Sequence, residues 1–301
     1  MLLFNDEPPF KVERGLHPNR TEKHPWGAWR RPHDTSRHKT SCFDITIITN
    51  ELGARDDSFS NGSTESIVLL GDSFAEGYGV SHANSAATIL EEKIGRPIHN
   101  LGSAGNFGPL QQYLIYREFV GIIKHSEVLI FLLPANDFTD NDYSSWSESK
   151  AQRKRYRPYF GAKEPLIPFY PNEAVPTDNQ INPGETQTLA AYVKDFLVAY
   201  TWTANSLRTI KYLYDPPEPI IDVTQPSSNY TAATLQQQKN LITAYAAIIR
   251  DAHPRPVSVI IIPGDDDINY YRASGHSMDY KSMLWFKELK KLADLIIKYK
   301  N

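Results

Sequence analysis

Four consecutive apolar residues, Ile67, Val68, Leu69 and Leu70, run without interruption into Gly71-Asp72-Ser73-Phe74. A strand with no polar alternation is buried on both faces, which is the signature of a parallel sheet covered by helices on each side. The glycine and the polar turn then feed a helix. In open α/β sheets, chemistry collects at the carboxyl ends of such strands. A serine on that strand-to-helix turn holds its hydroxyl exposed beside the backbone N–H groups that open the helix. On this segment alone the simpler reading is a helix cap supplied by Asp72 or Ser73.

Two later segments change that balance. Residues 97–106, Pro-Ile-His-Asn-Leu-Gly-Ser-Ala-Gly-Asn, read as a short strand entering a glycine-bearing loop. Residues 127–138, Glu-Val-Leu-Ile-Phe-Leu-Leu-Pro-Ala-Asn-Asp-Phe, read as a second fully buried strand that ends at Asn136. Taken singly, Gly105 is an ordinary turn residue and Asn136 an ordinary cap. At the ends of successive strands, the Gly105 N–H, the Asn136 amide and the Ser73 N–H are three donors for one oxyanion. Helical stretches are expected at about 85–95 and 109–124, with strands at 97–101 and 127–133. The strand–helix alternation implies a parallel sheet with right-handed crossovers.

Gly71-Asp72-Ser73-Phe74, Gly105 within Asn100-Leu-Gly-Ser-Ala-Gly, and Asn136-Asp137 resemble the first three blocks of the SGNH (GDSL-like) hydrolase superfamily, over roughly residues 66–138. The resemblance implies a flavodoxin-like, doubly wound parallel α/β sheet. It assigns Ser73 as nucleophile and Gly105 and Asn136 as the remainder of the oxyanion hole. No cofactor and no metal are implied. The family has Gly-x-Asn-Asp in its third block; this chain has Pro134-Ala135-Asn136-Asp137, which stiffens the loop and keeps the asparagine.

The fourth block departs from the family. Its general base is the histidine of an Asp-x-x-His sequence after the last strand, and no Asp-x-x-His follows the third block here. His253 has the wrong spacing and precedes the strand expected at 257–262, so it belongs at the opposite, amino end of the sheet. His276, in the loop after that strand, is on the correct edge, with Asp265, Asp266 or Asp267 available to orient it; it also reads as an ordinary solvated loop histidine. Residues 278–300 have helical apolar spacing at 284, 285, 289, 292, 295 and 296, where a doubly wound sheet would next return to a strand. The expectation is therefore a chain that stops short of the last strand and of its base.

Organisation outside the sheet is less regular. Residues 1–62, rich in Pro, His, Arg and Trp, read as a small β-rich appendage with a strand at 42–49 and a turn at Asn50-Glu-Leu-Gly-Ala-Arg-Asp56. Tryptophan-containing leaders with this turn resemble those of bacterial members of the superfamily. Residues 63–301 form the α/β domain, interrupted after its third strand by a proline- and tyrosine-rich insertion, 139–190, expected to roof the site. Helices are expected again at about 187–213 and 231–251. The basic run Arg153-Lys-Arg-Tyr-Arg157 reads as a solvated loop.

A net charge of −3 over 301 residues gives no electrostatic reason for a nucleic-acid partner, and one cysteine, Cys42, excludes an internal disulfide. The first residues are too short an apolar run for a signal peptide or a membrane span. Compartment stays undetermined, with the cell envelope implied by resemblance only. The expected activity is that of a serine esterase or O-acyl (acetyl) transferase on a carboxylic ester, with O-acetylated carbohydrate as substrate class. Tyrosine-rich loops suit a sugar groove and equally suit plain packing. The alternative is a carbohydrate-binding or accessory protein with a degenerate site. A flavodoxin-like nucleotide binder is disfavoured, because Gly71-Asp72-Ser73 lacks the spacing of either phosphate-binding glycine motif.

Overall fold

The computed structural model describes residues 20, 22–39, 43–58, 66–147, 156–172, 235–263, 268 and 272. Four parallel strands form the central sheet: β5 (Ile67–Leu70), β6 (Ile98–Asn100), β7 (Glu127–Leu132) and β8 (Val257–Ile261), in the order β6-β5-β7-β8. Two antiparallel pairs precede it, β1 (Glu22–His24) with β2 (Gly27–Trp29) and β3 (Thr35–Lys39) with β4 (Asp44–Ile48). The helices are α1 (Ser73–Glu76), α2 (Ala86–Ile94), α3 (Pro109–Phe119), α4 (Tyr143–Trp146) and α5 (Leu235–Ala252). The fold is thus α/β, with a parallel sheet and two small antiparallel ribbons. Among the described residues no helix is long and apolar enough to cross a membrane.

Both faces of the sheet are buried, as uninterrupted apolar strands require. Val68, Leu70, Val128, Ile130 and Leu132 pack on one side against α3 and α5. Ile67, Leu69, Leu129 and Phe131 pack on the other with Ala75, Ala87 and Leu90. Side-chain alternation along each strand separates these two sets. The larger cluster also takes in Trp26 and Trp29 from the leader. Trp26 lies 5.4 Å from the Phe119 ring and Trp29 lies 5.9 Å from Phe107. The first leader ribbon is therefore packed on α3 and on the loop before it by aromatic contacts, the kind of burial that dominates core energetics.

The turn at 50–56 does more than reverse the chain. Asn50 Oδ1 accepts from the N–H groups of Leu52 and Ala54, an Asx-type closure. Gly53 adopts φ +73° against the carbonyl of Arg30, where a Cβ would sit 2.4 Å from that oxygen. Arg55, buried, donates to the carbonyls of Glu76, Gly77 and Val80 at 2.6–3.2 Å, satisfying the orphan carbonyls at the end of α1. Asp56 accepts from the Asn100 N–H at 2.8 Å. One turn thereby joins the leader to two adjacent strand exits.

Several elements differ from the sequence expectation. Helix α3 ends at Phe119 rather than near 124, because the Ile122 and Ile123 N–H groups fold back onto the Phe119 carbonyl in a tight turn. The basic run is not solvated at its end: Arg157 is 3% exposed and sits against Asp140. Residues 156–160 are buried throughout. Its Tyr156 carbonyl accepts from the Ala28 N–H of the leader at 3.0 Å. The helix expected at 187–213, Cys42 and the C-terminal helical stretch lie outside the described residues.

Candidate functional site

Ser73, Gly105 and Asn136 lie in the loops leaving the carboxyl ends of β5, β6 and β7. Because β5 is hydrogen-bonded to both β6 and β7, and all three run parallel, the three loops open on one edge of the sheet. Ser73 is the first residue of α1. Asp72 caps that helix, its Oδ1 accepting from the Phe74 N–H at 3.0 Å. The cap therefore exists, and it falls to the aspartate rather than to the serine. No hydrogen bond joins the Ser73 hydroxyl to any described residue.

Asn136 is brought to the same place. Its Nδ2 donates to Asp72 Oδ2 at 3.1 Å, so the residue preceding the serine orients the amide. One N–H of that amide is used; an amide nitrogen carries two. The loop itself is set by Asp137, whose N–H donates to the Leu133 carbonyl at 3.0 Å while its Oδ2 accepts from the Leu133 N–H at 2.7 Å. Asp137 is wholly buried; burial, then the charges of Asp72 and Asp140, push its carboxyl well above the usual carboxylate range. Burial likewise raises Asp72, opposed by the hydrogen bonds from Phe74 and Asn136.

The loop at 102–106 carries Gly105 in the left-handed region, φ +85°, followed by Asn106 at φ +64°. Glycine enters that region freely, whereas Asn106 is held there by its surroundings. The Gly102 N–H donates to Asn100 Oδ1 at 2.9 Å and the Ser103 N–H to the Gly71 carbonyl at 3.2 Å. The Ala104 N–H donates to Glu76 Oε2 in a short bond, and the Ala104 carbonyl accepts from Arg20 at 2.7 Å. Asn106 donates from its side chain to Asp140 at 2.9 Å and accepts at its carbonyl from Arg157 at 2.7 Å.

These contacts rest on two buried charge clusters. Glu76 pairs with Arg30, the two side chains being 0% and 1% exposed, and with Arg20 at 3.7 Å. Arg157 donates to the Asp140 carbonyl as well as to Asn106, and burial pushes the Asp140 carboxyl up to about 7 against the opposing charge of Arg157. Sequence reasoning passed over Glu76, Arg30 and Asp140, and read Arg157 as part of a solvated loop.

The histidines fall as follows. His253 is exposed and precedes β8, so it lies at the amino end of the sheet, opposite Ser73. His276 lies outside the described residues. Among the described residues no group of three His, Cys, Asp or Glu side chains is arranged to hold a metal. A cavity of about 290 Å³ lies to one side, lined by residues that include Asn50, Asp56, Asp57 and His82 but none of Ser73, Gly105 and Asn136. The arrangement at the sheet edge places the Asn136 amide against Asp72, the residue that precedes Ser73. No protein-family model and no curated protein matches this chain.

Proposed function

We propose that this chain is a serine-dependent acyl hydrolase or acyltransferase of SGNH type, on a flavodoxin-like sheet, acting on carboxylic esters with O-acetylated carbohydrate as the substrate class. The observation that carries the reading is the Asn136–Asp72 hydrogen bond, which sets an amide donor beside the nucleophile-bearing turn. Ser73 Oγ attacks the ester carbonyl as its proton passes to a base. Negative charge develops on the carbonyl oxygen, which the Asn136 amide and the Ser73 and Gly105 N–H groups receive. The C–O bond to the leaving alcohol then breaks, the base returning the proton to it. Water, or a sugar hydroxyl in a transferase, releases the acyl group from Ser73. His276 is the base proposed on sequence position.

The test is hydrolysis of p-nitrophenyl acetate by the chain, by Ser73→Ala and by His276→Ala. The expected result is loss of all but a small residual rate with Ser73→Ala. Serine-triad enzymes stripped of their triad retain roughly 10³–10⁴-fold over water. Equal rates for the chain and Ser73→Ala refute the serine mechanism and favour the accessory carbohydrate-binding reading. Full activity in His276→Ala refutes the assignment of the base and leaves the nucleophile standing.

A further inference from the structure

We propose that the carboxyl edge of the sheet is a proton-held latch: Asp137 and Asp140 are neutral acids in the folded chain, and their ionisation as pH rises loosens the loops that leave β6 and β7. The latch rests on burial and charge alone and does not depend on the acyl-transfer reading. Asp137 and Asp140 are both 0% exposed, and Asp72 is 1% exposed. Their oxygens are unevenly engaged. Both Asp72 oxygens accept, from the Phe74 N–H and the Asn136 amide. Asp137 Oδ2 accepts from the Leu133 N–H at 2.7 Å, and Asp140 Oδ1 accepts from the Asn106 amide at 2.9 Å. Asp137 Oδ1 and Asp140 Oδ2 have no hydrogen-bond partner among the described residues. A dry carboxylate with an unsatisfied oxygen is costly, and the usual outcome is that the group keeps its proton.

The surrounding groups point the same way. From the insertion, buried Arg157 donates through Nη2 to the Asn106 and Asp140 carbonyls and to Gln111 Oε1. Its charge opposes burial at Asp140, whose carboxyl is still pushed up to about 7. At Asp137, burial and repulsion from Asp72 and Asp140 act together. Helix α1 adds Glu76, a further negative charge on Asp72, and α5 adds Tyr245, whose hydroxyl is engaged on Gln112 Oε1. The unfolded chain releases these protons near pH 4. The stability they confer is complete below that value and is lost as pH rises, through about 7 for Asp140 and higher for Asp137. The same two residues tie the loops. Asp137 closes on Leu133 through its carboxyl and its N–H, and Asp140 joins Asn106, beyond β6, to the segment beyond β7. Ionisation puts like charges into both ties.

The experiment follows urea unfolding of the full chain, Asp137→Asn and Asp140→Asn from about pH 5 to about pH 9, with hydrogen exchange of the folded chains over the same range. Asparagine keeps an acceptor oxygen and does not ionise. The unfolding constant is expected to rise with pH less steeply in each variant than in the parent, by up to about tenfold per pH unit for each proton removed. For Asp140→Asn the difference levels off near pH 7; for Asp137→Asn it continues higher. In the parent, exchange at the Leu133, Asp137 and Asp140 amides quickens with pH beyond its intrinsic rate. The Ser126 and Val128 amides, at the amino edge, stay protected. Equal pH dependence in all three chains overturns the proton assignment. Simultaneous loss of protection at both edges overturns the latch. Where a variant fails to fold, infrared absorption of Asp56→Asn at about pH 6 decides, Asp56 being replaced because burial holds a proton there too. A neutral carboxyl band that disappears on unfolding supports the proposal, and its absence overturns it.

Discussion

Replacing Glu76 by glutamine tests the junction on which the leader, α1 and the loop at 102–106 all depend. Glu76 is fully buried, its Oε1 facing Arg30, which is itself 1% exposed, and its Oε2 facing Ala104 and Arg20. Glu76→Gln preserves shape and an acceptor for Arg30. It leaves a buried guanidinium without its counter-charge, and it turns an amide N–H toward the Ala104 N–H, so two donors oppose each other. Removing one partner of a buried ion pair costs about 3–5 kcal/mol, because the remaining charge is uncompensated. For a domain of this size, about 2–4 °C per kcal/mol, the Tm falls by roughly 6–20 °C. Urea denaturation of the chain, Glu76→Gln, Arg30→Met and the double variant gives the coupling. The double variant should be less destabilised than the sum of the singles, by about 1–3 kcal/mol. A cost below about 1 kcal/mol for Glu76→Gln, or additivity within about 0.5 kcal/mol, refutes the claim that this pair is dry and mutually dependent.

Other perturbations follow from specific contacts. Gly102→Ala places a Cβ 2.5 Å from Ala75 Cβ and 2.8 Å from the Glu76 nitrogen, so a loss of about 1–3 kcal/mol is expected in urea denaturation; an unchanged midpoint refutes the close approach. Burial pushes the Asp56 carboxyl up to about 8, against its hydrogen bonds from Asn100 and Asp57 and with Asp57 and Glu91 adding repulsion. The folded state therefore holds a proton that the unfolded chain releases near pH 4, and the stability this proton confers is lost as pH rises through about 8. Asp56→Asn should gain on the parent chain between pH 5 and pH 8, by about 1.4 kcal/mol for each pH unit over which only the folded carboxyl keeps its proton, and a pH-independent difference refutes the shift. Tyr245→Phe removes a buried hydroxyl donated to Gln112 Oε1 at 3.2 Å, with an expected cost of about 1 kcal/mol read from the same denaturation curves; no cost refutes the bond.

The strands of the central sheet and the limits of α2 were legible because their causes are local. Ile67–Leu70 and Glu127–Leu132 are buried runs whose composition alone demands cover on both faces, and Ser85 and Gly95 bracket α2 as cap and left-handed stop. The positions of Ser73 and Asn136 at strand ends followed from those limits, since parallel strands put their exits on one edge. The order β6-β5-β7-β8, and with it the neighbours of the serine-bearing loop, came from tertiary structure. So did the reading of the charged residues. Arg157 in a basic run resembles any solvated arginine until the loop that holds Asp140 closes over it, and Arg30 meets Glu76 across 46 residues. Periodicity reports which face of an element is apolar; it carries nothing about which distant charge will neutralise a buried one. A lone arginine or glutamate is affordable in a core only once its partner arrives, and that pairing is decided by the fold.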